Sequence, residues 1–102
     1  MKKILNGKKY DTETVTLIGS YDNGCLTNDF GYCEENLYHK RTGEYFLHGR
    51  GGANSKYRTY SGMNSWGGGQ EIRPLTQDEA KSWAEDHLSV DEYEKEFGVV
   101  EE

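Results

Sequence analysis

Two helix-start signals in the last quarter of the chain constrain its fold more than any other feature. Thr76 is followed three residues later by Glu79, and Ser89 is followed in the same way by Glu92. Each pair matches a capping box, in which the two side chains satisfy unpaired backbone N–H groups at the start of a helix. The sequence therefore predicts two consecutive C-terminal helices.

The residues after each box repeat at helical spacing. After the first box, side chains suited to a buried stripe recur at i, i+3, i+4, i+7 and i+8, and they are Ala80, Trp83, Ala84, His87 and Leu88. After the second box the stripe is Val90, Tyr93 and Phe97, and Gly98 is a typical helix end. Leu75 is placed to pack on Ala80 as a hydrophobic staple. We expect the first helix to bury Trp83 against the rest of the protein.

Residues 1–75 carry β-strand signals instead. The segment KKILNGKKYD contains Asn6-Gly7, a dipeptide typical of a type I′ hairpin turn. Residues 37–40 and 45–48 are aromatic and apolar runs separated by a glycine-containing turn, which predicts a hairpin. In the second run, Tyr45 and Leu47 should face one side of the sheet, and Phe46 and His48 the other.

Two further segments complete the β region. QEIRPL, residues 70–75, could form a strand, and Pro74 should lie near its end or at a sheet edge because proline has no N–H to donate. TETVTLIGSY, residues 12–21, is ambiguous. Val15 and Leu17 alternate with threonines, as in a strand, whereas Asp11 or Thr12 could cap a short helix.

Together these signals predict one α+β domain, a small antiparallel sheet with a C-terminal helix packed on it and a second short helix. Residues 1–75 are mainly β with a Gly-rich loop at 48–70, and residues 76–98 are an acidic helical segment. The 102 residues suit a single domain. No apolar run approaches the roughly 18 residues of a membrane span, and the start lacks the apolar stretch of a secretory signal, so we expect a cytoplasmic protein.

Charge is distributed unevenly along the chain. Residues 1–75 contain ten Lys and Arg against eight Asp and Glu, which gives +2, and residues 76–102 contain two against ten, which gives −8. The sum is the net charge of −6. Acidic residues early in a helix complement its dipole, so part of this acidity needs no functional reason. The alternative is a negative surface that mimics phosphates and binds a basic groove.

The Gly-rich loop, residues 48–70, holds seven of the 13 glycines. It lacks the G-K-[ST] element of a phosphate-binding loop, which disfavours nucleotide binding. Between the glycines stand basic and aromatic residues, which are Arg50, Lys56, Tyr57, Arg58, Tyr60 and Trp66. They could stack on nucleic-acid bases or contact a protein partner. In the simpler alternative, the aromatic residues cover the sheet and the charges are solvated.

Metal and catalytic signals are weak. Cys25 and Cys33 are eight positions apart, which matches no common zinc spacing, so we expect two reduced thiols. The alternatives are a disulfide or a zinc site that also uses His39 and His48. The three histidines are scattered, and His48 is expected to be a hydrogen-bonded sheet residue. Glu34 and Glu35 are adjacent and should face opposite sides of a strand, so the sequence predicts a protein that is not an enzyme and needs no cofactor.

Four segments together resemble a family of small proteins from bacterial phages and other mobile elements, mostly of unassigned function. They are NGKKYDTET (6–14), EENLYHKRTGEYFLHGRGG (34–52), NSWGGG (64–69) and IRPLTQDEAKSWAE (72–85). The sequence departs from the family pattern at Val15, where alanine is usual, and at Arg50, where an acidic residue is usual. The second departure alters the charge of the Gly-rich loop. The resemblance favours the helical alternative for residues 12–21.

Some small phage proteins of this type are anti-CRISPR proteins, which bind CRISPR effectors and block them. The resemblance therefore implies a cytoplasmic inhibitor in a bacterial host, with a Cas effector, Cas9 or its guide-RNA complex as partner. Neither membrane contact nor direct DNA binding is expected. The expected interface residues are Glu85, Asp86, Asp91, Glu92, Glu94, Arg50, Tyr57, Arg58 and Trp66. The alternatives are a nucleic-acid-binding accessory protein that uses the Gly-rich loop, a small nuclease and a structural phage component.

Overall fold

The computed structural model describes residues 2–25, 30–53, 55, 57, 59–62 and 65–98, with the backbone alone at 59–62, 65 and 66. Within them, strands are followed by two C-terminal helices. The elements are β1 (Lys2–Leu5), β2 (Lys8–Asp11), β3 (Thr16–Asp22), β4 (Cys33–His39), β5 (Tyr45–Gly51), β6 (Thr59–Gly62), β7 (Ser65–Gly67), β8 (Gly69–Leu75), α1 (Gln77–His87) and α2 (Val90–Phe97). The predicted α+β class is confirmed.

The centre of the fold is a four-stranded antiparallel sheet in the order β3-β4-β5-β8. The predicted β4–β5 hairpin is confirmed, with Leu37 opposite Leu47. The Gly43 N–H closes its turn by donating to the Lys40 carbonyl at 2.9 Å. Because β8 pairs with β5, residues 52–68 form an insertion between two neighbouring strands. Pro74 is the second-to-last residue of this edge strand, as predicted.

One face of the sheet is covered by the helices. Leu37, Tyr45 and Leu47 of the sheet form a buried cluster with three α1 residues, which are Ala80, Trp83 and Ala84. Leu88, just after α1, lies so close to Gly19 of β3 that a methyl group at Gly19 would overlap it. The helix stripe that begins at Ala80 is therefore the docking face, as the sequence predicted.

The opposite face is partly covered by the β1–β2 hairpin. Tyr10 of β2 packs on Phe46 and Ile72, with the Tyr10 and Phe46 rings edge to face at 5.2 Å. Asn6 and Gly7 have φ of 51° and 78°, and positive φ at both central residues is the signature of the predicted type I′ turn. The alternation of Tyr45 and Leu47 against Phe46 is confirmed, because these residues belong to clusters on opposite faces.

Both capping boxes are present. The Glu79 N–H donates to Thr76 Oγ1 at 3.1 Å, and the Thr76 N–H donates to Glu79 Oε1 at 2.9 Å. Ser89 and Glu92 exchange the same two bonds at 3.2 Å each. Gly98 ends α2, as predicted. Neither described helix has the length and apolar composition that crossing a bilayer would require.

Two expectations about local structure are wrong. Residues 16–22 form a strand, not a helix, because they pair with β4 along its length. Asp11 closes a turn and does not cap a helix, since its carboxylate accepts the Glu13 N–H at 3.0 Å. Val90, which helical spacing places in the buried stripe of α2, is 72% exposed. It is the first residue of α2 and lines a groove with residues at the end of α1.

Candidate interaction surfaces

The fold places opposite charges on opposite sides of the sheet. On one side the β1–β2 hairpin carries four lysines and one aspartate in residues 2–11, a net +3. On the other side, residues 76–98 carry two lysines against eight acidic residues, a net −6. The asymmetry along the sequence therefore becomes an asymmetry in space, with the acidic helices forming one outer layer of the protein.

Some acidic side chains of the two helices have structural roles in the fold. Glu79 and Glu92 are the acidic members of the capping boxes. The backbone and side-chain hydrogen bonds from Thr76 hold the pKa of Glu79 below its usual value. Glu96 Oε1 lies 2.9 Å from His39 Nδ1, at the contact of α2 with the end of β4. These carboxylates contribute charge, but their positions have structural causes.

Three of the other carboxylates lie on the outside of the helices. Glu85, Asp86 and Asp91 are exposed, and none of them forms an ion pair with a residue that the structure describes. Glu94 is half-buried and lies near Glu85, since both line one groove. We call these four residues the acidic helical surface. They include four of the five helical residues predicted for the interface, and the fifth, Glu92, is exposed but engaged in its capping box.

Arg50 lies on the opposite face of the sheet from the helices. Its Nε is 2.6 Å from Glu34 Oε1, directly across the β4–β5 pair. The Tyr32 hydroxyl donates to Glu34 Oε2 at 2.5 Å. The hydrogen bond to Glu34 raises the pKa of Arg50. A phosphate approaching this guanidinium would have to compete with a carboxylate that is already in place.

A cleft of about 400 Å³ opens beside this pair. Its lining comes mainly from the two ends of the Gly-rich loop, and the residues are Tyr32, Arg50, Gly51, Gly52, Gly68, Gly69 and Gln70. Gly51 is required there, because a methyl group on it would overlap Ser55 and the Tyr32 carbonyl. The glycines thus allow close chain approach and do not leave the loop without contacts.

Tyr57 was predicted to contact a partner, but the structure buries it, with 4% of its surface exposed. Its ring lies over Gly49, where a methyl group would overlap it. Its hydroxyl donates a hydrogen bond to Glu35. Burial first, and then the hydrogen bond to Glu35, raises the pKa of the hydroxyl. As placed, Tyr57 is a core residue, which agrees with the alternative in which it covers the sheet.

Glu35 faces the opposite side of β4 from Glu34, as predicted, but sequence reasoning missed its role as a buried hydrogen-bond acceptor. It is 1% exposed and accepts a second hydrogen bond from Trp83 Nε1, at 3.2 Å from Glu35 Oε1. Glu35, Tyr57 and Trp83 form what we call the Glu35 cluster, which joins β4, the Gly-rich loop and α1. A signal was present, because Glu35 alternates with the core residue Leu37 and must share its face.

Some of the remaining residues named from the sequence have described side chains, and others lie partly or wholly outside the described part of the chain. His48 is a hydrogen-bonded sheet residue as predicted, with Nε2 2.9 Å from Gln70 Oε1. Arg58 lies outside the described residues, and only the backbone of Trp66 is described, in β7. Cys25 and Cys33, both within the described residues, are not joined by a disulfide. In the described part of the chain, no three His, Cys, Asp or Glu side chains are grouped to hold a metal ion.

Comparison with known proteins identifies no relative of this chain. No family model, no curated protein and no solved structure matches the chain. The resemblance to the phage protein family therefore stays a prediction.

Proposed function

We propose that the protein is an anti-CRISPR protein, a non-enzymatic inhibitor that binds a Cas9-type effector in the bacterial cytoplasm and blocks its handling of nucleic acid. The observation that carries the proposal is the segregation of charge onto one layer. Cas9-type effectors hold the guide–target duplex in a positively charged channel. The acidic helical surface is complementary to such a channel, and complementary potentials speed association and select partners.

The distribution of the carboxylates supports this proposal beyond the net charge. Acids that only capped helices would cluster at the first turns, as Asp78 and Glu79 do. Glu85 and Asp86 lie in the second half of α1, where negative charge opposes the helix dipole. They are exposed there and make no ion pair with a described residue. Helix stability does not account for them, and this supports a role for the two carboxylates in binding a partner.

The nucleic-acid-binding alternative has less support. It depends on the basic and aromatic residues of the Gly-rich loop, and the two whose side chains are described are engaged elsewhere. Arg50 is paired with Glu34, and Tyr57 is buried on Glu35. A net charge of −6 also repels phosphate at long range.

The direct test is DNA cleavage by a purified Cas9-type effector with its guide RNA, with and without the protein. We expect inhibition that weakens as salt rises, because exposed charges are screened over a Debye length of about 8–10 Å. The double variant Glu85→Lys/Asp86→Lys should lose inhibition. Its control is Glu13→Lys/Glu71→Lys, which also shifts the net charge from −6 to −2 by reversing two exposed acids outside the helices.

An equal loss of inhibition in the two double variants would show that overall charge acts, and not the helical layer. Loss of inhibition in Arg50→Ala, with the helix variant unaffected, would move the site to the Gly-rich loop. No inhibition of effectors from several CRISPR types, either purified or in a phage-interference assay, would end the anti-CRISPR proposal.

A further inference from the structure

The junction of α1 and α2 contains a groove with a volume of about 330 Å³. Its apolar lining comes from Ala84 and Leu88 on one helix end and from Val90 and Tyr93 on the other. Ala84 lies fully buried beneath the groove, Leu88 and Tyr93 are half-buried and Val90 is 72% exposed, so the apolar surface that faces solvent comes from the last three residues. Covering the apolar lining of this groove would remove it from water, which is favourable.

The edges of the same groove are acidic. Glu85 and Glu94 line it together with Ser89, and no Lys or Arg is among its described lining residues. Asp86 and Asp91 are exposed next to these positions along the chain. The two lysines of the helices, Lys81 and Lys95, are not in the groove, and Lys95 lines a different cleft with Glu92 and Glu96. The groove therefore combines an apolar lining with a negative rim.

We propose that this groove receives an apolar side chain from a basic segment of a partner protein. The inference rests on the proposed function in that it takes the acidic helical surface as the partner-binding face. It adds a requirement that phosphate mimicry does not have, namely an apolar side chain flanked by Lys or Arg. Nucleic acid does not meet this requirement, because Glu85 and Glu94 repel the phosphates of nucleic acid.

The size of the groove sets the expected effect. A volume of about 330 Å³ is at the lower end of the range for binding pockets, so the groove accepts one or two side chains. Burial of one leucine-sized side chain is worth about 10- to 100-fold in affinity. The flanking positive charges of the partner segment interact with solvent-exposed carboxylates at the edge of the groove. Salt screens these interactions, so their contribution to affinity falls as the salt concentration rises.

The test uses two synthetic heptapeptides, both acetylated and amidated, in titrations of the ¹⁵N-labelled full-length protein followed by NMR. One is Gly-Lys-Lys-Leu-Lys-Lys-Gly, and the other has Ser in place of Leu. The leucine peptide should bind about 10-fold more tightly. Its largest amide shifts should fall at Ala84, Leu88, Val90 and Tyr93. A third peptide, with Glu in place of every Lys, should not bind.

Variants separate the apolar and the charged contributions. Val90→Ser should reduce the preference for leucine over serine at least threefold, because Val90 is an exposed part of the groove and its loss leaves the core intact. Leu17→Ser is the matched control, since Leu17 is 52% exposed on β3 and does not line this groove. Glu85→Gln should weaken both peptides by the same factor and leave their ratio unchanged.

Equal affinities for the leucine and serine peptides would overturn the inference, as would a ratio that Val90→Ser leaves unchanged. Groove signals that move on dilution of the protein alone would assign the groove to a second copy and overturn it as well. The two proposals fail separately. A leucine preference without inhibition of any Cas effector keeps the groove and ends the anti-CRISPR proposal, whereas inhibition without a leucine preference does the reverse.

Discussion

The Glu35 cluster allows a sharp comparison between two neighbouring carboxylates. Tyr57→Phe removes one hydroxyl oxygen and with it the hydrogen bond to the buried Glu35. Tyr32→Phe makes the same atomic change at Glu34, which is partly exposed and also pairs with Arg50. In both cases the ring remains, so the loss of hydrophobic burial is small. The difference between the two variants therefore reports the environment of the carboxylate.

The expected cost of Tyr57→Phe follows from the burial of its partner. Hydrogen bonds to charged groups contribute about 1.5–3 kcal/mol, and a buried acceptor that loses a donor costs about 1–3 kcal/mol. Glu35 keeps the Trp83 donor, so we expect a loss of about 2 kcal/mol in the free energy of unfolding. With a urea m-value of about 1–3 kcal/mol/M, the unfolding midpoint should fall by roughly 1 M. Tyr32→Phe should shift it much less, because water can replace the lost donor.

The same variant should change the response to alkali. The pKa of Tyr57 is raised in the folded protein, so above about pH 10 the unfolded chain loses this proton first and stability falls as pH rises. Tyr57→Phe should make that fall shallower. It should not abolish it, because the pKa values of Tyr38 and Tyr45 are also raised, chiefly by burial. Urea unfolding midpoints measured from pH 7 to 11 give the slope of stability against pH for each variant. A midpoint for Tyr57→Phe equal to that of Tyr32→Phe at pH 7, with an unchanged alkaline slope, would refute the reasoning.

Three further variants or measurements test the fold. Trp83→Ala should cost about 3–5 kcal/mol, because it removes a buried ring and a donor to Glu35, and an unfolding midpoint near that of the wild type would contradict the docking of α1. Gly49→Ala should cost about 1–3 kcal/mol, since the added methyl group overlaps the Tyr57 ring, and Gly49→Ala combined with Tyr57→Ala should lose less than the sum of the two. Cys25 and Cys33 should be reduced and bind no metal in the purified protein, and stoichiometric zinc whose chelation unfolds the protein would show otherwise.

The accuracy of the sequence predictions depended on how local their causes were. The capping boxes at Thr76 and Ser89 and the Asn6-Gly7 turn are determined by neighbours a few residues away, and all three are present as predicted. The segment at residues 12–21 was misassigned because its short-range signals conflict. Its strand is stabilised by pairing with β4, a contact that the sequence does not display.

Glu35 shows how far the candidate site could be predicted from the sequence. Alternation with Leu37 places it on the buried face, but a buried carboxylate is credible only when its partners are known. Two of those partners, Tyr57 and Trp83, are 22 and 48 positions away in the chain. The surface position of the helical acids was easier to predict, because the apolar stripe of α1 also defines its solvent side. The groove could not be predicted, since it depends on how α2 leaves α1 at Ser89.

Pro74 has a consequence for how the protein behaves when it is concentrated. It stands in β8, at the edge of the sheet, and its partner on the inner side is Phe46 of β5. An edge strand presents backbone donors and acceptors that can template another chain and start an amyloid-like stack. At Pro74 the donor is missing, and the charged side chains of Glu71 and Arg73 are exposed in the same strand. We therefore expect Pro74→Val to shorten the lag time of fibril formation in stored samples, even where the stability of the monomer is unchanged.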